Sequence, residues 1–154
     1  RALITNPALL VADEPVSMVD ASLRMSILNL FMELKNKLNM SIIYITHDLA
    51  TAYYISEKIA IMLKGNILEY GSVDKIFTDP LHPYTQLLIE CVPEPNPNKR
   101  WRKEIKLPGL EVKEFEILGC KFANRSPKAL EVCANKAPPN VEVDGRIVKC
   151  WLYT

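Results

Sequence analysis

The sequence predicts an α/β fold that contains part of a parallel sheet, followed by a proline-rich linker and a small cysteine-containing region. Two continuous apolar runs of strand length are separated by a segment with helical periodicity. Each run ends in polar residues that can carry chemistry. Nine of the eleven prolines lie after residue 79, so composition divides the 154-residue chain into two parts.

The first predicted strand is the apolar run Leu9–Ala12, which ends in Asp13 and Glu14. An unbroken apolar run is typical of a strand buried on both faces, as in a parallel sheet. Asp20 is placed to cap the helix that follows, and Asn39 is placed to end it. The helix itself is predicted by apolar residues three and four positions apart, which are Leu23, Ile27, Leu30, Leu34 and Leu38.

The second predicted strand is Ser41–Thr46, a β-branched run that ends at His47 and Asp48. Beyond it the pattern changes from strand and helix to a hairpin and short helices. The remaining predicted elements are a helix over Leu49–Glu57, strands over Lys58–Leu63 and Asn66–Tyr70 joined by Lys64-Gly65, and helices over Ser72–Phe77, over His82–Cys91 and after Pro127.

Charge and composition exclude several classes of protein. A net charge of +1 argues against a charge-driven nucleic-acid or membrane-surface protein, and 49% hydrophobic residues argue against disorder. No apolar run approaches the ~18 residues that cross a bilayer, and no secretory leader is evident. The five glycines form neither GxxxxGK[ST] nor GxGxxG. Because the chain begins at Arg1, within a predicted helix, we expect it to be a piece of a longer protein.

The ends of the two predicted strands carry the candidate chemistry. Asp13 and Glu14 place two carboxylates at the carboxyl edge of the sheet, where such sheets bind ligands, and His47 reaches the same edge. In nucleotide hydrolysis one acid can hold Mg²⁺ and the other can polarise the attacking water. Taken singly, the acids fit a loop or capping pair equally well, and His47 fits a structural hydrogen-bonding residue.

Taken together, LLVADEPVSMVD and YITHD resemble the second half of an ATP-binding-cassette (ABC) ATPase, which has a P-loop NTPase fold. Leu9–Glu14 is similar to the Walker B strand, Pro15–Asp20 to the D-loop and Ile45–Asp48 to the switch-histidine loop. The Walker A lysine, Q-loop and signature would precede Arg1, so these 154 residues alone are expected to be inactive. The resemblance implies that ATP and Mg²⁺ bind, that Asp13 supports Mg²⁺, that Glu14 is the general base, that His47 contacts the γ-phosphate, and that Ser17 and Asp20 face a partner's nucleotide.

The segment GNILEYGSVDKIFTDPLHPYTQLL resembles the ATPases of oligopeptide and dipeptide importers, and His82–Thr85 is its most specific piece. With composition, this resemblance divides the chain into half a nucleotide-binding domain (1–91), a proline-rich basic linker (92–109) and a C-terminal extension (110–154). It implies an ATPase that drives peptide uptake from the cytoplasmic face of the membrane. The implied partners are a second ATPase subunit, two permease subunits and an extracytoplasmic solute-binding protein, with no nucleic acid.

The extension resembles a family pattern in which four cysteines can bind an iron–sulfur cluster. Cys120, Cys133 and Cys150 occupy three of the positions, and Ser126 occupies the fourth. Three thiolates and a weaker oxygen ligand can hold a cluster or zinc, whereas three buried thiols without metal fit equally well. Cys91 lies among apolar residues and is expected in the core.

Three alternative functions share some of these features. A DNA-repair or chromosome-type ATPase has the same three motifs, but it predicts coiled-coil heptads or a basic groove, and neither is found. A metal-binding module whose ATPase half is a relic would be expected to have lost Glu14 or His47, and both residues are present. An importer of nickel or another small solute stays open, because other subunits choose the solute. The basic residues around Trp101 fit either a solvated linker or a contact with phospholipid headgroups or the permease.

Overall fold

The computed structural model describes residues 1–92 and 117–154, and the α/β class is confirmed. The predicted linker from residue 93 onward, with Trp101, lies outside the described residues. The helices are α1 (Ala21–Leu38), α2 (Leu49–Ile55), α3 (Val73–Thr78), α4 (Pro83–Glu90) and α5 (Val132–Asn135), with short 3₁₀ turns at Ala2–Thr5, Ala123–Arg125 and Trp151–Tyr153. The strands are β1 (Leu9–Asp13), β2 (Ser41–Ile45), β3 (Lys58–Leu63), β4 (Asn66–Ser72), β5 (Val141–Val143) and β6 (Arg146–Val148).

Two compact units make up the described chain, Arg1–Glu57 and Lys58–Thr154. The domain boundaries proposed from the sequence, at 91/92 and 109/110, stay predictions. The second unit combines β3 and β4 with β5 and β6, although composition assigns these strands to different segments. In the part of the chain that the structure describes, no helix has both the length and the apolar character needed to cross a membrane.

The first unit is built on a parallel pair of strands. In its register Leu9 lies opposite Ser41 and Asp13 lies opposite Ile45. Helix α1 connects the two strands, as a parallel pair requires. The carboxyl ends of β1 and β2 therefore lie at the same edge, with the polar residues that follow each strand.

Helix α1 begins after Asp20 and ends at Asn39, as predicted. Asn39 is left-handed, with φ of 48°, and its backbone N–H donates to the carbonyl of Asn36. The expected side-chain cap at the other end is wrong, because the Asp20 carboxylate makes no capping hydrogen bond. Asp20 is exposed, so water competes for its carboxylate, and its backbone carbonyl instead accepts the N–H of Arg24 at 2.9 Å.

The expectation that both faces of the parallel strands are buried is also wrong for this chain. Ala12 is only 8% exposed, whereas its neighbour Val11 on the other face is 57% exposed. Leu9, Ile43 and Ile45 share this exposure. Successive side chains of a strand point to opposite faces, and only two strands form this sheet within the described residues. One face is therefore left uncovered there.

The second unit is an antiparallel sheet in the order β3-β4-β6-β5. Two-residue turns close both of its hairpins. Lys64 and Gly65 have φ of 46° and 75°, and Asp144 and Gly145 have φ of 51° and 70°. Two consecutive positive φ values match the right-handed twist of the flanking strands, which is why glycine ends each turn.

Two buried charged side chains connect the sheet to the helices of the second unit. Glu69 on β4 is fully buried, and its carboxylate accepts the backbone N–H groups of Leu81 and His82, both at 3.0 Å. Arg146 on β6 is 2% exposed and donates to the Asp79 carboxylate at 3.0 Å. These bonds fix the segment that enters α4, because an unpaired buried charge is costly.

Candidate functional site

Glu14 lies one residue beyond β1, in a conformation that few non-glycine residues adopt. Its φ is 43°, a left-handed value that costs on the order of 1–3 kcal/mol. Two hydrogen bonds hold the turn. The Glu14 N–H donates to the carbonyl of Ile45 at 2.9 Å, and its carbonyl accepts the Ser17 hydroxyl at 3.0 Å. The turn carries the chain off the strand at the carboxyl edge and attaches it to the end of β2.

The structure brings Glu14 and His47 together at this edge. The Glu14 Oε1 and the His47 Nδ1 are 2.9 Å apart, and the two side chains are 46% and 75% exposed. Because a carboxylate only accepts hydrogen bonds, the bond requires the proton on Nδ1. The Nε2 atom of His47 therefore remains available to a ligand.

Asp48 fixes the backbone on the other side of His47. Its Oδ1 accepts the N–H groups of Ala50 and Thr51, at 3.0 and 3.4 Å, and so caps α2. The Asp48 N–H in turn donates to the hydroxyl of Thr46 at 3.0 Å. His47 thus lies between two residues whose polar groups are held, which restricts the directions its ring can take.

A cleft of about 250 Å³ opens beside His47. Ser17 lines this cleft as well, so the structure brings two of the predicted site residues to one surface. Asp13 ends β1 with an exposed side chain, next to Glu14 in the chain, and Asp20 is exposed at the start of α1. The remaining lining residues are Val16, Arg24, Thr46 and Asp48.

Sequence reasoning missed Arg24 as a member of this site. Its guanidinium lies 3.1 Å from the Asp48 carboxylate, although the two residues are twenty-four positions apart. A local pattern gives no signal for that contact. The capping role of Asp48 could have been predicted, because an aspartate directly before an apolar helix is a helix-start signal.

The three predicted cysteine ligands lie around one small cavity in the second unit. Cys120, Cys133 and Cys150 are buried, and they line a cavity of about 20 Å³ with His82 and Ser126. Cys91 is half-buried on the C-terminal side of α4. The Cys120 N–H donates to the carbonyl of Cys133 at 2.7 Å, so a backbone hydrogen bond joins these two cysteines.

This cavity is too small for an iron–sulfur cluster. It has room for about one water molecule. Burial raises the pKa of the Cys120 and Cys150 thiols, which favours their protonated form. The Ser126 hydroxyl accepts the N–H of Lys128 at 3.2 Å, so it serves a turn. Among residues 1–92 and 117–154, no three His, Cys, Asp or Glu side chains are arranged to hold a metal.

Comparisons with known proteins agree with the resemblance in the sequence. The family model for the oligopeptide/dipeptide transporter C-terminal region matches residues 68–133. The dipeptide transport ATP-binding protein DppF of Haemophilus influenzae is 39% identical over 153 residues, which are 98% of this chain and 46% of that protein. DppF of Escherichia coli is 38% identical, covering 98% of this chain and 45% of that protein.

A third relative is a probable peptide ABC transporter ATP-binding protein, y4tS, of Sinorhizobium fredii. It is 41% identical over 152 residues, which are 97% of this chain and 43% of that protein. The chain thus spans less than half the length of these curated relatives. The matches extend over nearly the whole chain and through both units, so the chain is similar along nearly its whole length to the ATP-binding proteins of peptide ABC transporters.

Proposed function

We propose that this chain is part of a subunit that hydrolyses ATP and couples the hydrolysis to the import of oligopeptides or dipeptides. The observation that carries the proposal is the 2.9 Å contact of Glu14 with His47 at the edge of the parallel strand pair. That edge is where α/β sheets bind ligands. The names of the relatives, which describe dipeptide or peptide transport, support peptides as the solute.

Glu14 is proposed as the general base. Its carboxylate is half exposed at the edge, and the turn held by Ile45 and Ser17 fixes its backbone. From there it can accept a proton from a water molecule as that water attacks the γ-phosphate. The same carboxylate holds His47 through Nδ1, so that Nε2 is presented to the phosphate. The hydrogen bond between Glu14 and His47 therefore orients both the proposed base and the side chain that is proposed to contact the phosphate.

The exposed carboxylate of Asp13 fits Mg²⁺, which binds proteins through one or two carboxylates and the phosphates of the substrate. When bound, Mg²⁺ neutralises charge on the phosphate oxygens. Ser17 and Asp20 are proposed to face the nucleotide of a partner subunit. Ser17 lines the cleft beside His47, and the side chains of Ser17 and Asp20 are both exposed.

The proposed assembly contains a second ATPase subunit, two permease subunits and an extracytoplasmic solute-binding protein. The proposed location is the cytoplasmic face of the membrane, where the ATPase subunits bind peripherally. For the cysteine cavity we propose a core of buried thiols without a cluster, because the cavity has room for about one water.

The test is solute uptake by the full-length subunit assembled with its partners in proteoliposomes. We expect ATP-dependent accumulation of a labelled dipeptide or oligopeptide, and we expect His47→Ala to abolish it. Asn36→Ala is the matched control, since Asn36 is exposed on α1, away from the cleft. Two results would contradict the proposal. One is uptake of nickel ions that added peptide does not inhibit, and the other is peptide uptake that continues in His47→Ala.

A further inference from the structure

Arg24 is the fourth residue of α1, and its side chain reaches two loops of the first unit. The Nη1 atom donates to Oδ2 of Asp48 at 3.1 Å. The Nη2 atom donates to the backbone carbonyl of Val19 at 3.4 Å. Val19 belongs to the loop 15–20, which also carries Ser17, and Asp48 directly follows His47. One planar guanidinium therefore connects both sides of the cleft.

Both oxygens of the Asp48 carboxylate are in use. Oδ1 caps α2 through Ala50 and Thr51, and Oδ2 accepts from Arg24. Through the guanidinium, the Val19 carbonyl of loop 15–20 is linked by two hydrogen bonds to the Asp48 carboxylate. Because His47 is the next residue and contacts Glu14 at 2.9 Å, its ring position depends on the same carboxylate.

From these contacts we propose that Arg24 is a positioning residue that couples loop 15–20 to His47. It keeps the imidazole within reach of Glu14 only when the loop is correctly placed. This inference rests on the proposed function and deepens it: loop 15–20, which is proposed to face the partner's nucleotide, communicates with the water-activating pair through Arg24.

The geometry separates this role from a contribution to stability. The Arg24 and Asp48 side chains are 31% and 30% exposed, and partly exposed ion pairs contribute little to stability. Lysine cannot replace arginine fully, because a single ammonium does not present two separated N–H groups in a fixed plane. Removing the fork is therefore expected to change turnover more than folding.

The experiment measures ATP hydrolysis by the full-length subunit in its assembled complex, for wild type, Arg24→Gln, Arg24→Lys, Asp48→Asn and the double variant Arg24→Gln/Asp48→Asn. We expect Arg24→Gln to lower kcat at least about tenfold, because small displacements of a catalytic group have effects of that order. We expect KM for ATP to stay within about twofold, because the guanidinium is not proposed to touch nucleotide.

Three further readouts distinguish positioning from a structural role. Arg24→Lys should restore part of kcat, and the double variant should be no slower than the slower single variant, because both changes break one connection. The unfolding temperature should fall by less than about 4 °C. Lys37→Gln, at an exposed position in the last turn of α1, is the matched control and should behave as wild type.

The inference is overturned if Arg24→Gln keeps kcat within about twofold of wild type, or if the losses in the double variant multiply. Glu14→Gln, measured in the same assay, distinguishes failure of the Arg24 coupling from failure of the proposed function. Glu14→Gln without turnover, beside a fully active Arg24→Gln, refutes only the coupling. Turnover in Glu14→Gln refutes the proposed function itself.

Discussion

Acidification is expected to destabilise the second unit through His82. This side chain is 1% exposed, and its Nδ1 accepts the backbone N–H of Tyr84 at 3.0 Å, which caps α4. Its Nε2 lies 3.9 Å from the Cys120 sulfur, and Glu69 accepts the His82 backbone N–H. Burial lowers the pKa of His82 from 6.5 to about 4, because the charged imidazolium loses its hydration in this site.

The sign and size of the effect follow from proton linkage. The folded chain holds His82 neutral, whereas the unfolded chain protonates it near its ordinary pKa of 6.5. The stabilisation is fully present above pH 6.5, and it is lost as the pH falls from 6.5 through about 4. At about 1.4 kcal/mol per tenfold change in proton affinity, the full loss amounts to roughly 3 kcal/mol.

The assay is urea unfolding between pH 7.5 and pH 4, followed by tryptophan fluorescence. Trp151 lies in the second unit and is the tryptophan among the described residues, so its fluorescence reports on that unit. The test variant is His82→Asn, because asparagine is a good helix cap that does not titrate in this range. Between these pH values the wild type should lose roughly 3 kcal/mol more unfolding free energy than His82→Asn.

The control is His47→Asn, which replaces the other histidine of the chain and leaves His82 in place. It should keep the pH dependence of the wild type. If the unfolding free energies of wild type and His82→Asn fall in parallel from pH 7.5 to pH 4, the account of His82 as a buried neutral cap is refuted.

Three further predictions concern other parts of the chain. Gly119→Ala should lower the unfolding free energy by roughly 2–3 kcal/mol in urea titration, because the added Cβ would lie 2.1 Å from the backbone oxygen of Cys133; an unchanged midpoint would contradict this close approach. Because the cavity beside Cys120, Cys133 and Cys150 has room for about one water, both the wild-type chain and Ser126→Cys should contain little iron after anaerobic reconstitution; the broad visible absorption of a cluster in Ser126→Cys would contradict this. The 154 residues alone contain no phosphate loop and should bind Mg-ATP no more tightly than about millimolar; micromolar binding by calorimetry would contradict this.

The elements that local pattern specifies are the ones the sequence predicts well. Continuous apolar runs predict β1 and β2, Asn39 ends α1, and Lys64-Gly65 closes the first hairpin. The polar residues that follow β1 and β2 predict that Glu14 and His47 share an edge, because parallel strands place their carboxyl ends together.

Contacts between distant residues were not predictable in the same way. Strand β6 pairs with β4 through Glu69 and Val148, seventy-nine positions apart, and no periodicity encodes that choice of partner. From the sequence alone, Arg24 looks like an ordinary surface residue of a helix, and only the folded chain shows its contact with Asp48 at the start of α2. His82 reads as a helix-start residue, and only the folded chain shows that Cys120 lies next to its ring.

The central claim is that Glu14 activates water for ATP hydrolysis at the carboxyl edge of β1 and β2. The most direct measurement is phosphate release by the full-length subunit in its assembled complex, for wild type, Glu14→Gln and the control Glu33→Gln on the exposed face of α1. We predict that Glu14→Gln lowers turnover by at least about 10²-fold while nucleotide binding is retained, because only the proton acceptor is removed, and that Glu33→Gln matches wild type. Phosphate release by Glu14→Gln at the wild-type rate would contradict the claim.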